Sequence, residues 1–307
     1  MKSKKSAFSL IEVIFVLVIL GIVSSISSQI IVQVYENYIT QKAVYTVNTK
    51  TELASNQIIN RLTYAIEGTT IAKDTNRTGT TEGVDWIMLA SIPSTDNNFT
   101  TIEWIGYDND SFSAGASPYW SGVANYETAT KNSFDTPAST LSSADTIIKN
   151  LSHGQVGLTG TTQMPALIFN QKVGQYRTGR DYSPACMGLI DNNTSCIFRV
   201  QRNGDTNLTF PDALPKIVSE RYKLAWSAYA LVPEKNSEND YNLSLYYNYQ
   251  PWENERYTQG TKKLLLTHVS VFKFTENGGV IQLKLCATEN IGQEYNISTC
   301  KEKAIIR

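Results

Sequence analysis

The sequence predicts an α+β protein, a long N-terminal membrane-spanning helix followed by a β-rich head. Three observations carry this. Residues Ala7 to Val34 contain one formal charge, Glu12, and include the unbroken apolar run from Val13 to Leu20. No proline occurs before Pro93, so nothing in the covalent chain breaks a helix that continues past the apolar run. Beyond residue 84 the apolar segments become short and often alternate, which is the period of strands.

The amino-terminal segment comes first. Lys2, Lys4 and Lys5 precede the apolar run. Roughly twenty helical residues cross a hydrocarbon core at ~1.5 Å each, and residues 8–34 exceed that. By the positive-inside rule the lysines hold the amino terminus in the cytoplasm, so the rest of the chain lies on the opposite side, which in a bacterium is the periplasm. Three processing outcomes fit a basic leader before such a run: cleavage after it near Ser24-Ser25, no cleavage, or cleavage before it.

The third outcome is favoured by Ala7-Phe8-Ser9-Leu10-Ile11-Glu12, which resembles the type IV prepilin signature. The resemblance covers residues 4–21 and includes Gly21. It implies a pilin-like fold, cleavage by a membrane prepilin peptidase between Ala7 and Phe8, and N-methylation of Phe8. It also implies assembly with other pilins or pseudopilins through Glu12. A carboxylate in the middle of an apolar span costs ~2.5–3.5 kcal/mol, and the resemblance supplies its partner, the amine of a neighbouring subunit. The chain departs from the pattern twice: Ala7 stands where Gly is usual, and the helix-kinking proline of major pilins is absent. The second departure, with the length of 307 residues, points to a minor subunit.

Apolar three-four spacing continues through Tyr35, Tyr38, Ile58, Leu62 and Ile66, with Gly68 as the expected stop. One helix from Phe8 to Ile66 would be roughly 88 Å long; a break into two helices within residues 46–56 is the alternative. The expected organisation is therefore a leader (1–7), the transmembrane part of the helix (8–34), a periplasmic stalk (35–67), a Thr-, Asn- and Gly-rich linker (68–83) and the globular head (84–307).

Within the head, strands are expected over residues 86–92, 101–107, 166–169, 196–200, 222–232 and 243–249. In the run from Tyr222 to Val232 one face is apolar at period two, with Lys223, Ser227 and Tyr229 opposite. Two further strands, 269–274 and 280–285, flank Glu276-Asn277-Gly278-Gly279, a hairpin-turn composition. Residues 108–145 read as a long loop whose aromatics, among them Trp120, Tyr126 and Phe134, either pin it to the sheet or face a partner; pinning is the favoured reading. The segment from Lys262 to Phe274, with the hairpin and strand after it, resembles the end of J-type minor pseudopilins of type II secretion and of PilW-like minor pilins.

All four cysteines, Cys186, Cys196, Cys286 and Cys300, lie beyond the membrane segment, where disulfides persist. Nearest-neighbour pairing is the simplest of the three possibilities; a zinc site is the rival, without C-x-x-C spacing to support it. With 27 basic and 28 acidic residues the chain is not a phosphate-neutralising protein, and no nucleic-acid partner is expected. His153 and His268 form no metal-binding spacing, and no hydrolase, P-loop or dinucleotide motif is present. The Asx-rich runs 108–111 and 191–194 carry oxygen ligands but no EF-hand pattern, so turns are expected. Neither cofactor nor metal is implied. The expected function is a structural and assembly subunit, not an enzyme. The rivals are a DNA-uptake or adhesive minor pilin that binds through its head, and a membrane-tethered periplasmic hydrolase.

Overall fold

The computed structural model describes residues 9–92, 98–169, 183–212, 219–237, 240–291 and 295–306. Helix α1 runs from Leu10 to Leu62, 53 residues without interruption. Strands β1 (Ile71–Lys73), β2 (Trp86–Met88) and β3 (Thr101–Gly106) follow, then the short helix α2 (Asn109–Phe112), β4 (Ser133–Asp135), α3 (Leu141–Leu151) and β5 (Ala166–Phe169). The chain continues through β6 (Phe198–Arg199), β7 (Gln201–Arg202), β8 (Asn207–Thr209) and β9 (Tyr222–Ala225). It ends in five long strands, β10 (Ser227–Ser237), β11 (Asp240–Tyr249), β12 (Thr261–Asn277), β13 (Val280–Ile291) and β14 (Tyr295–Ile306). This is a long apolar helix followed by a strand-rich head, an α+β architecture.

Eight strands form the main sheet in the order β14-β13-β12-β11-β10-β3-β1-β2. Two three-stranded sheets, β4-β8-β7 and β6-β5-β9, complete the described strands. The apolar run from Tyr222 to Val232 serves two of these sheets: β9 pairs with β5, and after Trp226 β10 pairs with β3 and β11. Two residues of its expected polar face are not solvated. Ser227 and Tyr229 are buried, Tyr229 because its ring stacks on Trp104 at 5.7 Å and lies beneath the Arg61 guanidinium at 5.6 Å. The β12–β13 hairpin closes with Asn277 opposite Val280, and Gly278 and Gly279 both adopt positive φ, 59° and 80°. A two-residue turn that follows the strand twist needs this conformation at both positions, which glycine adopts at little cost.

Two expectations about segment boundaries differ from the structure. Helix α1 ends at Leu62, before Gly68, because the backbone then bonds to β3: Ile66 N–H donates to Ile105 O at 2.8 Å, and Tyr107 N–H donates to Tyr64 O at 2.9 Å. Residues 68–83, expected as a linker, include β1, which lies between β2 and β3 and buries Ile71 and Ala72. Composition concealed this strand because its apolar part is only two residues long. Residues 108–145 likewise hold α2, β4 and the start of α3, and Trp120 and Phe134 are core residues. The 222–232 run accounts for two strands, and the 196–200 run for only a two-residue strand.

The chain divides into two compact units, Met1–Thr49 with Thr288–Thr299, and Lys50–Ala287 with Cys300–Arg307. In the first, residues 10–38 of α1 are exposed throughout, and Ala43 and Val47 are buried. In the second, Thr51, Ala54, Ser55, Ile58 and Leu62 form a buried stripe at three-four spacing. The final turns of the expected stalk are therefore part of the head core. One core cluster gathers Ile105, Ala228, Ala230, Tyr249 and Trp252 around Cys186 and Cys196. Another gathers Trp120, Phe134, Leu167, Tyr222 and Trp226 with the inner face of α3, Leu141, Ala144 and Ile148. Leu62 is fully buried, so Leu62→Ala is expected to destabilise the head by ~2–5 kcal/mol. Urea unfolding followed by tryptophan fluorescence checks this; an unchanged midpoint would show that the helix end does not belong to the cooperative core.

Candidate functional site

The chemistry-bearing segment is the start of α1. Ser9 stands immediately before the helix, and its carbonyl accepts from Glu12 N–H at 3.0 Å and from Val13 N–H at 3.2 Å. Glu12 is thus in the first turn, exposed, and the acidic residue of that turn. The positive end of the helix dipole stabilises a carboxylate there by ~0.3–1 kcal/mol. That is smaller than the ~2.5–3.5 kcal/mol that a carboxylate costs within an apolar span, so the helix end alone does not compensate a fully embedded Glu12. Ala7 and Phe8, with Lys2, Lys4 and Lys5, lie outside the described residues.

After Glu12 the helix presents apolar side chains on every face. Its most apolar 18-residue window has mean hydropathy 2.6 and none of it is buried; Phe15 and Ile31 are each 68% exposed. By length and composition this is the one helix among the described residues able to cross a membrane. Gly21 lies in this stretch, and apart from its own helix backbone no described atom lies within 4 Å of the position a Cβ would take. Glycine costs roughly 1 kcal/mol relative to alanine inside a helix, and nothing in the chain's own packing requires it here.

The cysteines pair as Cys186–Cys196, with Cα atoms 5.3 Å apart, and Cys286–Cys300, 4.0 Å apart. The first bridge lies in the core and the second staples β14 to β13. Each closes a short loop, for which chain-entropy models give about 3 kcal/mol. The histidines are separate: His153 is exposed with φ 55°, and Nδ1 of His268 lies 3.1 Å from Asp240 Oδ2. Among the described residues no three His, Cys, Asp or Glu side chains gather as a metal-ligand set. Both Asx-rich runs are turn and cap structures. Asp108 caps α2 by accepting from Ser111 N–H, and Asp191 Oδ1 accepts from Asn193 N–H at 2.8 Å.

Sequence reasoning missed two charged clusters. Glu52 on α1 receives Lys303 Nζ at 2.7 Å and Lys301 Nζ at 3.2 Å, both from β14, and the hydrogen bonds from Lys303 and then Lys301 hold its carboxyl below the ordinary value. The i, i+2 spacing of the two lysines is a strand-face signal, but their partner lies some 250 residues earlier in the chain. Deeper, Lys73 Nζ meets the buried Glu103 carboxylate at 2.5 Å, and Tyr249 O–H donates to Glu103 Oε1 at 2.8 Å. Breaking such a pair strands a buried charge, so the cluster favours a single arrangement of β1 on β3.

With this geometry in place, residues 2–28 match the family model of the prokaryotic N-terminal methylation motif. No curated protein and no solved structure matches the chain. The motif, leading into a long apolar helix and a strand-rich head, supports a type IV pilin-like filament subunit with a single-pass membrane anchor. It implies processing by prepilin peptidase and assembly with other pilins, and proteins carrying it are typically structural rather than enzymatic.

Asp108 yields a pH prediction. Burial pushes its carboxyl up from 3.8 to about 7, against the lowering effect of the Ser111 hydrogen bonds. A raised acid means that the folded state binds its proton more tightly than the unfolded state does. This contribution is complete below pH 3.8 and is lost as pH rises through 7, at up to ~1.4 kcal/mol per pH unit. Asp108→Asn keeps a capping oxygen without a titrating group. Unfolding free energies from pH 5 to 8 should fall more steeply for the wild type than for Asp108→Asn; parallel profiles would remove Asp108 from the account.

Proposed function

We propose that this chain is a minor pseudopilin or minor pilin, a structural and assembly subunit of a type II secretion or type IV pilus filament. The leader of residues 1–7 is removed between Ala7 and Phe8, and the new amine of Phe8 is methylated. Residues 8–34 anchor the subunit in the inner membrane, with the amino terminus cytoplasmic and the head periplasmic. The observation that carries this reading is the uncovered apolar surface of α1 beside Glu12, in a segment matching the methylation motif. A bilayer covers that surface before assembly and neighbouring apolar helices cover it afterwards. In the filament Glu12 pairs with a subunit's terminal amine, so two charges that are costly alone become one compensated pair. The bare surround of Gly21 fits close approach of another helix, since small residues let helix backbones come together in apolar surroundings.

Intact-mass analysis of membrane-extracted protein should find a terminus at Phe8 carrying a methyl group. A retained Met1 or a terminus near Ser25 would reject this processing. Glu12→Ala should leave insertion intact, because the span becomes more apolar, and leave the distant head folded. Co-purification with sister pilins should fall at least tenfold, with loss of secretion or piliation in the same cells. A variant that co-assembles like the wild type would overturn the role of Glu12.

A further inference from the structure

A groove of about 540 Å³ lies beside the carboxyl end of α1, within the compact unit that holds the head sheet. Its volume is in the ~300–1,000 Å³ range of small-molecule sites. It is lined by Gln57, Asn60 and Arg61 of the helix, by Tyr64 just beyond the helix end, and by Tyr247 of β11 and Lys263 of β12. We infer that this groove binds a pyranose oligosaccharide, a ligand separate from any contact along the filament.

The chemistry of the walls selects that class. Tyr64 and Tyr247 are half-buried, so each ring keeps accessible surface, and an aromatic face attracts the C–H bonds of a sugar ring. Leu245 and Leu265 add aliphatic surface to the lining. Gln57 and Asn60 are exposed on successive turns of one helix face, and each amide both donates and accepts, as hydroxyl and acetamido groups do. Arg61 is held in place over the buried Tyr229 ring and lies 3.9 Å from Asp110, so it adds a fixed donor and little net charge.

Other ligand classes fit less well. A peptide cannot add itself as a strand here, because β10 is already paired on both sides by β3 and β11, and β11 by β10 and β12. A wholly apolar ligand would desolvate the two amides without replacing their hydrogen bonds. A nucleic acid would find only Arg61 and Lys263, with Asp110 opposing it.

Two sources of such sugars are distinguishable, a neutral glucan or N-acetylglucosamine polymer and cell-wall glycan, whose muramic acid adds a carboxylate for the exposed Lys263 to meet. The test is calorimetric titration of the full chain in phosphocholine micelles, which carry no sugar headgroup. The probes are tri-N-acetylchitotriose, cellotriose and an N-acetylglucosamine–N-acetylmuramic acid disaccharide, with sorbitol as the control that carries hydroxyls but no pyranose ring. Saturable binding of at least one sugar probe is expected, at least tenfold tighter than that of sorbitol. Asn60→Ala and Gln57→Ala, both exposed positions, should each weaken it several-fold with the near-ultraviolet circular dichroism unchanged. Lys263→Ala should weaken only the muramic acid probe, and a preference for that probe identifies cell-wall glycan as the source. Absence of saturable binding up to millimolar concentrations, equal binding of sorbitol, or unchanged binding by both amide variants would overturn the proposal.

Discussion

The first half of α1 is strongly apolar, and none of the described residues covers it. Burying a single large aliphatic side chain is worth ~1.5–3 kcal/mol, and more than a dozen stand exposed between Leu10 and Val34. The segment is therefore incomplete as a soluble structure; it acquires a stable environment only in hydrocarbon or among other apolar helices. The same surroundings turn Glu12 from an ordinary surface acid into a group that requires compensation. The exposed first half of the helix therefore contributes nothing to the head, which has to be stable by its own contacts.

The head meets that requirement by sharing the helix. From Thr51 onward one stripe of α1 is core, and the backbone joins β3 directly after Leu62, so the carboxyl end of the helix is a structural member of the sheet unit. Glu52 gathers Lys301 and Lys303, and the Cys286–Cys300 bridge fastens the same strand from its other neighbour. This matters because β14 is the last strand of the sheet, where an unfastened edge invites pairing with other chains. Covalent and ionic ties hold it to its own fold.

A charged fraction of 18% leaves much of the interior and the loops to neutral hydrogen bonds. Thr136 Oγ1 lies 2.6 Å from Tyr222 Oη and 2.9 Å from Ser139 Oγ, Trp120 Nε1 donates to Asp108 O, and Thr69 bridges Ile66 and Ile105. Such contacts fix the 108–145 region against the smaller sheets, although its composition resembles a loop. Where ions are buried, as with Lys73 and Glu103, they are paired within a few ångströms and hydrogen-bonded by a tyrosine.

The apolar run before residue 34, the lone Glu12, the proline-free continuation and the Gly278-Gly279 turn were legible in the sequence because each is a local pattern: one-dimensional hydropathy, three-four spacing, or a conformation that particular residues favour. The short strands were not. β1 has two apolar residues and owes its existence to β2 and β3 on either side, so composition reads it as linker. The two-sheet use of the run from Tyr222 to Val232, the burial of Tyr229 beneath Arg61, and the raised acid of Asp108 depend on residues distant in sequence that converge only when the chain folds. Sequence by itself determined which segment is long and apolar enough to cross a membrane and that a strand-rich head follows. Tertiary structure decided where the helix stops, which faces are core and which residues form the groove beside α1, because burial is a property of neighbours and neighbours are set by the fold.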